Sequence, residues 1–350
     1  MCKIKEIRFV LLLVFLSILW SSCRKDFDYS PSTGNLEFSK DTVYLDTIFS
    51  NISSSTYSLK VFNRSNNDLT IPSIALMKGG NSSYRLNVDG VAGKAFINVA
   101  LLAKDSLYIF IENTVDILNT SQNEYLSTDA ILFDSGPNLQ KVQLVSLIKD
   151  AIFLYPDKFD NGTKESFLLP MENRSSSQIE GFFIPEKQLR FINEKPYVIY
   201  GYALVGADKT LIMEAGTRVY FHKDSGIIIG KDAELIINGN LSEDGILLEN
   251  EVILEGNRLE PIFTDIPGQW GTLWLTSESK GAEINYLTIK NATTGLLVEG
   301  NDTGNTPTLT IKNSQIYNSS NSNLWARNGT ILGENLVLGN SGKSSLKCDL

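Results

Sequence analysis

Histidine is almost missing from this 350-residue sequence, where His222 stands alone. Zinc sites draw on sets of histidine and cysteine. With one imidazole and no spaced cysteines, no metal site is expected. Cysteine is nearly as scarce: of Cys2, Cys23 and Cys348, no two suggest a structural disulfide. There is no G-x-S-x-G turn for a serine nucleophile and no D-x-D-x-D run for calcium. Positive charge is in deficit, with 31 lysines and arginines against 40 acids and a formal charge of −9. Such a surface repels nucleic acid and anionic headgroups, which are not expected partners. An apolar run does exist, from Phe9 to Trp20. At about twelve residues it is too short to cross roughly 30 Å of hydrocarbon as a helix.

What that run does fit is a signal peptide, because Lys3, Lys5 and Arg8 precede it. The junction Leu19-Trp20-Ser21-Ser22-Cys23 resembles a lipobox. The resemblance implies cleavage before Cys23 and lipidation there, with more than one acyl chain, as stable anchoring requires. Loss of Lys3, Lys5, Arg8 and Glu6 would take the formal charge from −9 down by two. The following Arg24-Lys25-Asp26-Phe27-Asp28 resembles the export signal of Bacteroidota surface lipoproteins, which implies an outer-membrane anchor with the protein facing outward.

Residues 30–35 are a Pro/Ser/Gly tether, so residues 23–35 form the lipidated cysteine and its spacer. From Leu36 the sequence alternates with period two, as in Tyr57, Leu59, Val61 and again in Leu107, Ile109, Ile111. Half-buried strands read this way. Turn formers at 63–68 and 78–81 lie between them, and the spacing suits an antiparallel β-sandwich over 36–150. The run S-x-x-L-K-V-F-N-R-S-N-N-D-L followed later by DSLYIFIE resembles immunoglobulin-like domains of the Hydin and choice-of-anchor type. In that resemblance Asn63 opens a turn, and the domain is a spacer or binding module.

After a loop-rich linker at 151–195, residues 196–350 change pattern. Short strands end in glycine or asparagine, and Ile289-Lys290-Asn291, Ile316-Tyr317-Asn318 and Leu338-Gly339-Asn340 align. So do Leu296, Leu324 and Leu346 in the strands that follow. Repeats of 20 to 30 residues without helices predict a parallel β-helix. KPYVIYG (195–201), AGTRVYFHKDSGIIIG (215–230) and PGQWGTLWL (267–275) resemble a group of Bacteroidota β-helix lipoproteins of unassigned activity. The repeat reaches Leu350 with no polar capping segment, so the natural chain is expected to continue.

Chemistry is thinly marked. Asp224, Asp232, Glu234, Glu243 and Asp244 are scattered without ligand-like spacing, and His222 beside Asp224 lacks a nucleophile. Trp270, Trp274 and Trp325 are the candidate ligand-binding residues, as sugar-stacking rings on an outer face. Strand parity would set Trp270 and Trp274 on the same side. Thr42, Thr47 and Ser106 each follow an aspartate and precede an apolar residue, which resembles the Bacteroidota O-glycosylation acceptor. The expectation is all-β: a surface lipoprotein without catalytic residues, metal or cofactor, binding a glycan or another envelope protein. The alternative is a β-helix polysaccharide lyase or glycoside hydrolase, which would gather acids and bases in one groove.

Overall fold

A computed structural model describes residues 29–116, 124–170, 176–300 and 307–349. Cys23 and residues 1–22, the expected signal peptide, lie outside the described residues. Among those described the fold is all-β: apart from four 3-10 turns, every regular element is a strand. No described helix is long and apolar enough to cross a membrane.

Two compact units divide the chain. One holds the described residues up to Val43 together with Ser55–Glu112 and Thr128–Leu144; the other holds Tyr44–Ser54, Asn113–Ser127 and Val145–Leu350. Strands Thr42–Phe49, Ser106–Asn113, Glu124–Phe133 and Gln140–Lys149 each contribute residues to both units, because they run on past the first.

In the first unit most pairing is antiparallel. Tyr57–Phe62 pairs with Ser106–Asn113, and Leu69–Leu76 pairs with Ala95–Leu101 and with Glu124–Phe133. The period-two pattern buries Leu59, Val61, Leu107, Ile109 and Ile111 while their neighbours stay wetter, as alternation across a pleat demands. Asn63 opens the turn after Phe62: its Oδ1 accepts from Ser65 N at 2.9 Å, and its Nδ2 donates to Leu102 O at 3.0 Å. It is buried, and those bonds satisfy what burial would otherwise leave costly.

The second unit repeats a pass of three strands. Thr210–Glu214, Arg218–Phe221 and Gly226–Ile229 are followed by Glu234–Asn238, Val252–Gly256 and Leu273–Leu275, then by Gly281–Asn285, Leu287–Lys290 and Leu296–Glu299. Each strand pairs in parallel with its counterpart in the next pass. Three apolar columns result. Leu211, Leu235, Ala282 and Leu309 form one; Val219, Leu254, Ile289 and Ile316 form another; Ile227, Leu273, Leu296 and Leu324 form the third. All belong to one continuous core, where each fully buried aliphatic contributes about 1.5–3 kcal/mol.

Asparagine marks the corners. Asn291, Asn318 and Asn340 have φ of 64°, 55° and 52°, a region asparagine tolerates better than most residues. Asn340 Nδ2 donates to Asn318 Oδ1. A second column, absent from the repeat alignment, runs Asn335 to Asn313 to Asn285 with Nδ2–Oδ1 bonds of 2.8 and 2.9 Å. One pass breaks the rhythm: the strand from Glu234 and the next from Gly281 bracket two insertions, 239–251 and 257–272.

A candidate binding cleft

The core-facing alternation of the second unit decides what points outward. In Ile152–Leu154 and Tyr197–Ile199 the side chains of Leu154, Tyr197 and Ile199 join the core, so Phe153 and Val198, paired in register, face the other way. They cluster with Phe49, Ala151 and Tyr220. Tyr200 continues this run, and its N–H donates to Leu154 O at 2.9 Å. His222 does the same one pass on, donating from its N–H to Ile199 O at 2.9 Å. The two rings therefore stack, with centroids 4.5 Å apart and planes 29° apart.

Around these residues opens a cleft of about 620 Å³, within the range of small-ligand sites. Phe153, Tyr155 and Tyr200 give it aromatic surface, Ile52 and Pro156 add apolar surface, and the Lys164–Glu180 ion pair supplies charge. Gly201 is required beneath it. Its φ is +66°, and a Cβ there would lie 2.9 Å from Pro156 Cγ and 3.0 Å from Glu180 O. Burial holds the Tyr200 phenol above its ordinary value, so it stays a neutral donor and acceptor. Burial also pushes the His222 imidazole below its ordinary value, and its Nδ1 lies 3.3 Å from Asn257 Nδ2.

A second concentration of polar side chains lies farther along the same strand ladder. Tyr220 stands in register with Glu255, and Lys290 with Tyr317. Lys290 Nζ binds Glu255 Oε2 at 2.7 Å. Burial works to lower the Lys290 pKa, but the attraction of Glu255 and its hydrogen bond outweigh it and raise the net value. Burial likewise raises Tyr220 and Tyr317. Lys290 is thus held as a cation and both tyrosines as phenols, none of them poised as a base near neutrality. Beside them Gln315 Nε2 donates to Thr288 Oγ1 at 2.9 Å, and Thr288 Oγ1 to Glu251 Oε2 at 2.7 Å.

The three tryptophans part company. Trp270 is 1% exposed, lies 4.2 Å from Phe221 in a near-parallel stack, and donates from Nε1 to Lys290 O at 2.9 Å. It is a core residue, which removes it from any outer sugar-binding face. Parity failed because the strand is only Leu273–Leu275: Trp270 sits outside it, in a lone bridge to Ala292. Trp274 does point outward, half-buried against Leu204 and Ile228, and its Nε1 has no partner among the described residues. Trp325 carries Arg327 at 4.3 Å and Lys347 at 3.8 Å from its ring centroid and donates from Nε1 to Asp349 at 2.8 Å. Those cations occupy ring surface that a sugar would need.

Thr42, Thr47 and Ser106 are half-buried strand residues. Asp224 and Asp232 sit at left-handed turns with φ of 57° and 54°, and Glu234 accepts from Thr210 Oγ1 at 3.2 Å. Arg218 turns instead to the backbone carbonyls of Leu248 and Glu251. Among the described residues no group of three or more His, Cys, Asp or Glu side chains could hold a metal. Sequence reasoning nominated none of the cleft residues. Tyr200 alone falls in a stretch that the sequence singles out, Lys195–Gly201, and there for its resemblance and not for its ring.

No protein-family model matches this chain, and no curated protein matches it. Among solved structures, similarity is found to the seventh PapD-like domain of human CEP192, at 12% identity and TM-score 0.22, covering 37% of this chain and 94% of that one. The periplasmic chaperone SfaE is similar at 11% identity and TM-score 0.22, covering 33% of this chain and 58% of that one. The E. coli chaperone DraB is similar at 11% identity and TM-score 0.23, covering 35% and 58%. At these scores the likenesses assign neither fold nor function.

Proposed function

We propose that this chain is a non-catalytic glycan-binding lipoprotein of the bacterial cell surface. In this reading Cys23 carries the lipid that anchors it to the outer membrane. An immunoglobulin-like sandwich over 36–150 acts as spacer, and the parallel passes from residue 196 form a β-helix that presents the ligand site. The observation that carries the reading is the cleft with Phe153, Tyr155 and Tyr200 beside the Lys164–Glu180 pair. Aromatic rings offer flat apolar surface to the C–H face of a sugar while phenol and charged groups take its hydroxyls.

The alternative, a polysaccharide lyase or hydrolase, draws its support from the Tyr220, Glu255, Lys290 and Tyr317 cluster, where acid and base types do gather. Their mutual pairing favours the binding reading. The test is a glycan array and polysaccharide panel on soluble protein from Arg24 onward, read for retention and for release of unsaturated or reducing ends. Retention that Tyr155→Ala weakens, with no release, is expected. Release of new ends would replace this reading with the enzyme, and neither binding nor release would sink both.

A further inference from the structure

The insertion 239–251 displays aliphatic side chains to water. Leu241 is 72% exposed, Ile246 91% and Leu247 67%. Scattered exposed leucines need no explanation, but three such residues within one short loop are unusual for a surface with no partner.

The loop is built to hold them there. Asp244 Oδ1 accepts from the N–H groups of Ile246 at 2.7 Å and Leu247 at 3.0 Å. Glu249 accepts from Glu243 N at 2.7 Å, and Asn250 N donates to Ser242 Oγ at 3.0 Å. Beneath, the Arg218 guanidinium donates to Glu251 O at 2.6 Å, Leu248 O at 2.7 Å and Leu247 O at 3.2 Å. Leu248 is kept at φ 50°, a strained value for a leucine, and such strain persists only where surrounding bonds over-determine it. Polar side chains and one half-buried cation thus fix the backbone of a loop whose own apolar groups gain nothing from the arrangement. A loop ordered in advance loses less entropy when it meets a partner.

Charge selects the occupant. Between Gly239 and Glu251 stand Glu243, Asp244, Glu249 and Glu251 with no lysine or arginine. An anionic lipid surface would repel this acidic loop, and a second copy would bring the same acids to it. We propose that the 239–251 loop is a preformed knob that inserts Ile246 and Leu247 into an apolar groove, rimmed by lysine or arginine, on a partner protein. Buried aliphatics at the centre would supply affinity and the surrounding acids orientation and rate. The inference does not rest on the glycan reading, since it concerns a different part of the surface.

The test places a photo-crosslinking residue at position 246 of the full-length, lipidated protein in the cells that naturally make it, with adducts mapped by mass spectrometry. A discrete protein adduct is expected, attached to an apolar peptide flanked by basic residues. Leu247→Asp should remove it at unchanged surface level and melting temperature. With the mapped partner purified, Ile246→Asp should weaken binding about thirtyfold or more, the size expected of a central hot-spot residue, and Ile246→Leu should retain it. Added salt should slow association. Should Leu247→Asp fail to fold, Leu241→Asp supplies the same comparison. Adducts to lipid alone, to a second copy, to a peptide without basic neighbours, or to nothing would each overturn the proposal.

Discussion

The aromatic cleft and the polar cluster both belong to the second unit, yet they differ in what is left over. Around Tyr220, Glu255, Lys290 and Tyr317 the charges are spent on one another: Glu255 holds Lys290 protonated against its burial, and burial keeps both phenols intact. In the cleft the rings of Tyr155 and Phe153 keep open surface around about 620 Å³ of space. A concentration of acids and bases is therefore a poor sign of chemistry unless a group remains free to act. An unspent aromatic surface is the better sign of binding.

That contrast can be broken most forcefully at the ion pair. Lys290→Met should destabilise the protein by about 2–4 kcal/mol, since removing one partner strands the other charge in a site only one-fifth exposed. The urea midpoint should fall while glycan retention stays unchanged. Pairing Lys290→Met with Glu255→Leu should recover most of the loss. Because the folded pKa of Lys290 is raised, its contribution is complete below the unfolded value near 10.5 and disappears as pH climbs through the folded value. A stability profile from neutral to strongly alkaline pH in wild type and variant would show it.

Next in size is Gly201→Ala. The positive φ and the closeness of Pro156 and Glu180 O mean that a methyl there must displace the cleft floor, at about 1–3 kcal/mol and with weaker glycan retention. If retention survived while stability fell, the cleft would not be the binding site. Tyr155→Ala should then cost about tenfold in glycan affinity, or roughly 1.4 kcal/mol, with the thermal midpoint nearly unmoved. Titration calorimetry against the retained glycan checks it. An equal loss from Lys290→Met would erase the distinction between the two regions.

The smallest effect concerns His222. Its folded pKa is lowered, so its neutral form is favoured by folding. The associated stability is present above the unfolded value near 6.5 and is lost as pH falls through the folded value. His222→Gln should flatten that slope by less than about 1 kcal/mol, because the ring is partly solvated. An imidazole NMR titration at or above the ordinary histidine value would contradict the stacked geometry.

Much of the repeat could be read without coordinates. Matching Ile289, Ile316 and Leu338, and Leu296, Leu324 and Leu346, reproduces pairs that the strands adopt residue by residue. Parallel stacking makes this possible, since like residues recur at like positions and the period survives in the chain. Trp270 shows the opposite case. Its place depends on where a three-residue strand begins, and nothing local distinguishes a residue just before such a strand from one within it. The cleft was less legible still, because Asn51, Phe153, Lys164, Glu180 and Tyr200 come from four distant stretches of chain.

By itself the sequence determined the all-β class, the alternation that buries Leu59 and Ile109, the stacked columns, and the asparagine corners. Each follows from a period or a local backbone preference that one short segment carries. Only the tertiary structure decided that Trp270 is core, that Lys290 and Glu255 neutralise each other, that Tyr200 stacks on His222, and that Ile246 stands in water. Those outcomes depend on which residues meet across long separations, and no local pattern encodes such meetings.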